Sequence, residues 1–194
     1  ISVIESGVPI DKLEGLQRIP RKSAILRLGC SGVISDRKGI LELLDGLSLL
    51  ADLDYNFIWI GGFRDKEFEA KVYEKIKNYG MLEKINITGM VSNTEVFDYL
   101  THLDYFIFPS KYEGLPKSVI EALALGIPSL VSGFVFSNQI EGVEYFENLE
   151  KETIAEQIKL FTTSQHVVNR DQIFKQFSWQ SRAELIENIY NNLK

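Results

Sequence analysis

The sequence predicts an α/β fold, a doubly wound parallel sheet of Rossmann-like type. Short apolar runs rich in β-branched and aromatic residues alternate with longer segments of helical period through most of the 194 residues. The apolar runs are near-continuous, the pattern of parallel strands covered by helices on both faces. Glycines punctuate the runs where the chain has to turn.

In chain order, residues 24–29 read as a strand and 38–50 as a helix with Ile40, Leu41, Leu43, Leu44 and Leu47 on its apolar side. Residues 55–60 (YNFIWI) form a second strand closed by Gly61 and Gly62, and 66–79 a polar-faced helix ending at Gly80. Residues 84–88 make the third strand, and 93–100 a helix with Asn93 as its N-cap. Residues 104–108 (DYFIF) make the fourth strand, 116–125 a helix stopped by Gly126, and 129–132 the fifth strand. Beyond Gly133 the pattern loosens to a short strand at 143–146 and a helix at 152–161. A last helix at 179–193 carries Ala183, Ile186, Ile189, Tyr190 and Leu193 on one stripe.

This divides the chain into a connecting arm (residues 1–22, with Gly7, Pro9, Gly15 and Pro20), a Rossmann-like domain (23–176) and a C-terminal helix (177–194). Ile1 in place of Met leads us to expect a piece of a longer chain.

Composition narrows the function. A net charge of -6 without any basic block argues against a nucleic-acid partner. Cys30 is the only cysteine, which excludes an internal disulfide and a cysteine-built metal site. It is expected to be a buried, inert thiol in a reducing, cytoplasmic setting. No apolar run approaches the ~20 residues of a membrane span.

Doubly wound sheets bind ligands in the crevice outside the carboxyl ends of their strands, so the loops after strands one to four are the ones to inspect. The loop after the fourth reads FPSKYEGLPKSVIEALALGIPS and places Glu113 and Glu121 eight positions apart. Pro116 suits the first position of a helix, where its missing N–H costs nothing. Gly114 before it lets backbone approach a ligand. The helix N-terminus then offers free N–H groups and partial positive charge, a phosphate site. Glu121, more than a turn inside, is placed to accept hydrogen bonds from a ribose diol.

These residues resemble the E-x7-E motif of retaining glycosyltransferases of the GT-B fold, of the group 1 or family four type. The loop containing Gly32 and ending in Lys38-Gly39, the WIGG stretch, the ITG before Met90, the LDYFIFPS strand and the closing FSW follow in the same order. The resemblance implies that this domain is one half of a GT-B fold and binds a nucleoside-diphosphate sugar. Its implied catalytic residues are Lys38, neutralising the diphosphate, and Glu113, contacting the donor sugar. Gly32 lines the donor loop, and the amides of Gly114 and Leu115 meet the diphosphate. Glu121 binds the ribose, and Val91, in the stretch 90–93, contacts the base.

It further implies transfer of a hexosyl group to an acceptor hydroxyl with retained configuration, in polysaccharide or glycoconjugate biosynthesis, with no metal or other cofactor. The acceptor would sit on a missing N-terminal domain to which the last helix crosses back, so the present residues would bind donor without transferring it. Membrane-surface association of the complete enzyme is compatible with this, since many members use lipid-linked acceptors.

The sequence departs from the family at two places. Val33 stands where an Arg usually makes a second diphosphate contact, a charge-assisted bond of ~1.5–3 kcal/mol. Arg37, four positions on, is the candidate to replace it. Gly133-Phe134-Val135-Phe136 stands where a Gly-Gly-x-x-Glu turn is usual.

Other features have plainer readings. Asp52 and Asp54 belong to a polar turn before the second strand. His102 and His166 read as surface residues without a metal partner. The sequon at Asn86 falls on a strand expected to be buried and is discarded. The aromatic group Phe134, Phe136, Tyr145 and Phe146 reads as core or domain interface. The alternatives to a transferase are a dinucleotide oxidoreductase, which the GCSGVISDRKG loop opposes by lacking G-x-G-x-x-G, and a non-catalytic nucleotide-binding or interaction domain.

Overall fold

A computed structural model describes residues 7–192. The start of the arm (residues 1–6) and Leu193 of the predicted apolar stripe lie outside the described residues.

Six parallel strands form one sheet in the order β3-β2-β1-β4-β5-β6. They are β1 (Leu26–Ser31), β2 (Tyr55–Ile60), β3 (Ile85–Ile87), β4 (Tyr105–Phe108), β5 (Ser129–Val131) and β6 (Val143–Tyr145). Central β1 pairs with β2 on one side and β4 on the other, so the order reverses there. That reversal opens a crevice at the carboxyl ends of β1 and β4. The helices are α1 (Ile40–Leu47), α2 (Lys66–Asn78), α3 (Asn93–Thr101), α4 (Lys117–Ala124), α5 (Lys151–Thr163), α6 (Arg170–Phe177) and α7 (Trp179–Asn192). Helix α1 packs against α2 and α5, whereas α4 packs against α6, which in turn meets α7. Right-handed crossovers running outward in both directions from β1 and β4 put these two groups on opposite faces.

The core lies along the central strands: Leu28, Cys30, Phe57, Trp59, Phe106, Ile107 and Phe108 are essentially inaccessible. Burial on both faces is why these strands read as continuous apolar runs.

The structure differs from the sequence reading in five local ways. Ser92, not Asn93, caps α3; its Oγ accepts from Glu95 N while the Glu95 carboxylate accepts from Ser92 N, a capping box. Pro116 is the N-cap of α4 and not its first helical residue, because its ψ of 97° is extended. Helix α6 was not predicted; RDQIFKQF is short and mostly polar, and only Ile173 and Phe177 bury fully.

The other two concern the edges. Strand β3 is an edge strand with Asn86 exposed, so the expectation of a buried sequon strand is corrected. His166 is not a surface residue: its side chain is only 7% exposed, with its ring 4.1 Å from that of Phe161.

The described part of the arm packs on the domain. Val8, Ile10 and Leu13 are fully buried, and Val8 N donates to Phe177 O at 2.8 Å. Arg170 fastens it further, donating to Ala124 O at the end of α4 and to Leu13 O and Leu16 O. Among the described residues no helix is long and apolar enough to cross a membrane.

Candidate active site

Two loops meet at the crevice. The loop after β1 continues its pairing with β2 beyond the strand, Gly32 N donating to Ile60 O and Ile34 N to Gly62 O, both at 2.9 Å. Gly61, at φ 146°, lies so close to Gly32 that a Cβ would sit 2.2 Å from its carbonyl oxygen. A side chain there would force the two loops apart. The loop after β4 is tied to the first, Lys111 N donating to Arg37 O at 2.8 Å, and to the loop after β5, Glu113 N donating to Gly133 O at 2.7 Å.

Between them lies a cavity of about 340 Å³. Gly32, Lys38, Val91, Glu113, Leu115 and Glu121, all singled out from the sequence, line it together. Gly114 does not line it, and a Cβ there would meet nothing within 4 Å. Val33 lines the cavity where a cation was expected, and Arg37 does not: it turns to Glu113 and to Tyr112 O instead. The expectation that Arg37 replaces the absent arginine is therefore not met in this geometry.

The two carboxylates sit in opposite environments. Lys38 Nζ and Ser110 Oγ each lie 2.8 Å from Glu113 Oε1, and Arg37 Nη1 donates to the same oxygen. Burial pushes the Glu113 carboxyl up, but these donors outweigh it and hold it below the ordinary range. The carboxylate of Glu121, in the second turn of α4, receives no hydrogen bond among the described residues. Burial pushes its pKa up to about 7, against a lowering pull from Lys117 one turn earlier. At the mouth of α4, Pro116 supplies no side-chain cap and Val119 N donates to Pro116 O, so the Lys117 and Ser118 amides are left for an anion.

Sequence reasoning missed several lining residues. Lys117 and Ser118 belong to the first turn of α4 and were legible as a Lys-Ser pair directly after Gly-Leu-Pro. Val96 arrives from α3, with no signal beyond its nearness to the stretch 90–93, whose Asn93 also lines the cavity. Ser110, which steadies Glu113, stood unremarked in the Phe-Pro-Ser step.

Comparison with known proteins settles the kinship. The sequence profile described as "Glycosyl transferases group 1" matches residues 18–192. The chain belongs to the glycosyl transferases group 1 family. A curated relative, the lipopolysaccharide core biosynthesis mannosyltransferase LpsB of Rhizobium meliloti, is 27% identical over 139 residues, 69% of this chain and 39% of its own. A glycosyltransferase from Rickettsia africae superposes with a TM-score of 0.82 at 22% identity, covering 99% of this chain and 57% of its own. Anabaena HepE, solved in complex with UDP-glucose, superposes with a TM-score of 0.70 at 13% identity, covering 87% and 49%. The chain thus spans well under two thirds of these relatives, and the last two likenesses concern fold.

The family accounts for the sheet and the strand-end loops. Of the aromatic group, Phe136 and Phe146 are core and the Phe136 ring lies 5.5 Å from Phe177, whereas Phe134 is partly buried and Tyr145 is exposed.

Proposed function

We propose that this chain is the donor-binding half of a retaining glycosyltransferase, taking a sugar from a nucleoside diphosphate to an acceptor hydroxyl. The observation that carries the reading is the graded polarity of one cavity. A cation, Lys38, and an open helix N-terminus lie beside Glu113, and the unpartnered carboxylate of Glu121 lies farther along α4. A nucleotide sugar has the complementary order: sugar hydroxyls, diphosphate, ribose diol, base. The UDP-glucose complex of the Anabaena relative supports the same ligand class.

In this reading the amides of Leu115, Lys117 and Ser118 and the Lys38 ammonium meet the diphosphate. They stabilise it further as it leaves with growing negative charge, which lowers the barrier to transfer. Protein groups supply that charge, without a metal. Glu113 accepts from sugar hydroxyls, and Glu121 from the ribose. Met90, Val91 and Asn93 border the base. The acceptor and the groups that bind it belong to a further, N-terminal domain, so this chain alone binds donor and does not transfer it.

Isothermal titration with UDP, GDP, ADP and their common sugar conjugates tests the reading. One nucleotide should bind saturably, and Glu121→Ala should weaken it about tenfold, the loss of a charge-assisted hydrogen bond. Binding of none of them would overturn the donor reading, and measurable transfer by this chain alone would overturn the division of labour. A nicotinamide dinucleotide binding instead would favour an oxidoreductase.

A further inference from the structure

Three donors hold Glu113, and all three converge on one oxygen. Lys38 Nζ and Ser110 Oγ lie 2.8 Å from Oε1, and Arg37 Nη1 completes the set. The other oxygen, Oε2, takes no hydrogen bond from the described residues. Of the three donors, only Lys38 also lines the donor cavity.

Arg37 stands behind the cavity. It borders a neighbouring recess of about 420 Å³ with Ser35, Arg64 and Phe68. It is fastened to the loop after β4 at several points. Its Nη1 donates to Tyr112 O at 2.8 Å, its guanidinium carbon lies 5.4 Å from the Tyr112 ring centre, and its carbonyl accepts from Lys111 N at 2.8 Å. A side chain committed in this way is not free to follow a diphosphate.

Lys38 faces two claims. It pairs with Glu113, and its ammonium lies 4.7 Å from the centre of the Phe108 ring. An arriving diphosphate offers it more negative charge than one carboxylate does. When Lys38 turns to the phosphates, Glu113 loses one of its three donors.

We infer that Arg37 is the positioning residue for Glu113, holding the carboxylate in place with Ser110 while Lys38 passes to the donor diphosphate. The inference rests on the donor-binding reading above, but half of its test does not. Arg37 then governs how the sugar is held and leaves the grip on the diphosphate to Lys38 and α4. Val33 at the family's arginine position is consistent with this division, because the nearest arginine is already spoken for.

The test has a ligand-free arm and a ligand arm, on Arg37→Ala and Arg37→Lys checked for folding by circular dichroism. Without ligand, a carbon-13 titration of the Glu113 carboxyl should shift upward in Arg37→Ala and recover in part in Arg37→Lys. No change in either variant overturns the inference. With UDP against UDP-glucose, and GDP against GDP-mannose, Arg37→Ala should hold free-diphosphate affinity within about twofold. The extra affinity conferred by the sugar should fall about fivefold or more.

A loss of free-diphosphate affinity as large as that of Lys38→Ala would make Arg37 a phosphate ligand and overturn the inference. If the parent bound none of these probes, the donor reading would fall, and the ligand-free titration would still decide whether Arg37 holds Glu113.

Discussion

Glu121 is the residue whose chemistry responds most directly to pH. Its pKa of about 7 exceeds the ordinary value of 4.5 for a glutamate, because burial disfavours the charge. A carboxyl raised on folding gives a stability that is full below the unfolded pKa and declines as pH rises through the folded one. The parent should therefore lose stability relative to Glu121→Gln between pH 4.5 and pH 7, by up to about 3 kcal/mol. Thermal melts of the two proteins at pH 4.5, 6 and 8 check this; a constant gap between them would contradict it.

Ligand affinity should run the other way, since a ribose diol donates to the ionised form. Nucleotide binding should tighten from pH 6 to pH 8 in the parent and less so in Glu121→Gln. Cys30 offers a simpler check. Fully buried, with its thiol pushed up to about 12, it should react with a thiol reagent only on unfolding. At this scale the motif made Glu113, Glu121 and Lys38 legible, because chemistry restricts residue types there. Ser110 and Arg37, which contact Glu113, were not legible as its partners, since a serine and an arginine in loops have many uses.

Among the elements, α1 and α3 give separable predictions. Gly46 lies inside α1, where alanine would ordinarily stabilise a helix by about 1 kcal/mol. A Cβ there, however, would sit 2.2 Å from Ile154 Cγ2 of α5. Packing should win, so Gly46→Ala should be destabilising by about 1–3 kcal/mol in denaturant titration. In α3, Ser92→Ala removes the capping box and should cost about 1 kcal/mol.

The elements also show where pattern runs out. Strand β2 matched its predicted bounds because Gly61 and a polar turn flank it. Strand β1 starts two residues later than read and runs to Ser31, since Gly29 and Ser31 pair with β2 as well as any β-branched residue would. Helix α6 eluded the pattern because one turn of apolar spacing in eight residues cannot be told from a loop. His166 looked solitary for another reason: its aromatic partners Tyr105 and Phe161 come from β4 and α5.

For the whole molecule, the sheet order decides where the ligand goes, and the order was only partly legible. Alternation of elements implied a doubly wound sheet, but no local pattern states that β1 neighbours both β2 and β4. Asp104 helps to fix that junction. Its carboxylate, 8% exposed, accepts from Arg27 N at 2.9 Å and from Arg27 Nη2 at 2.7 Å. This clasp holds β1 to β4 at the end of the sheet away from the cavity. Asp104→Ala should therefore lower stability by about 2 kcal/mol, less than a fully buried pair because Arg27 is partly exposed. At this size that is a fall in Tm of about 4–8 °C. Nucleotide affinity should stay unchanged below the transition.

The central claim is that a nucleoside diphosphate occupies the crevice between the ends of β1 and β4. Amide chemical-shift mapping of the labelled chain during titration with the nucleotide that binds tests it most directly. The account predicts shifts concentrated at Gly32, Lys38, Val91, Gly114, Leu115, Lys117 and Ser118, and little change at Asn56, Asn86 or His102 across the sheet. Shifts centred on the latter group, or none at saturating nucleotide, would contradict it.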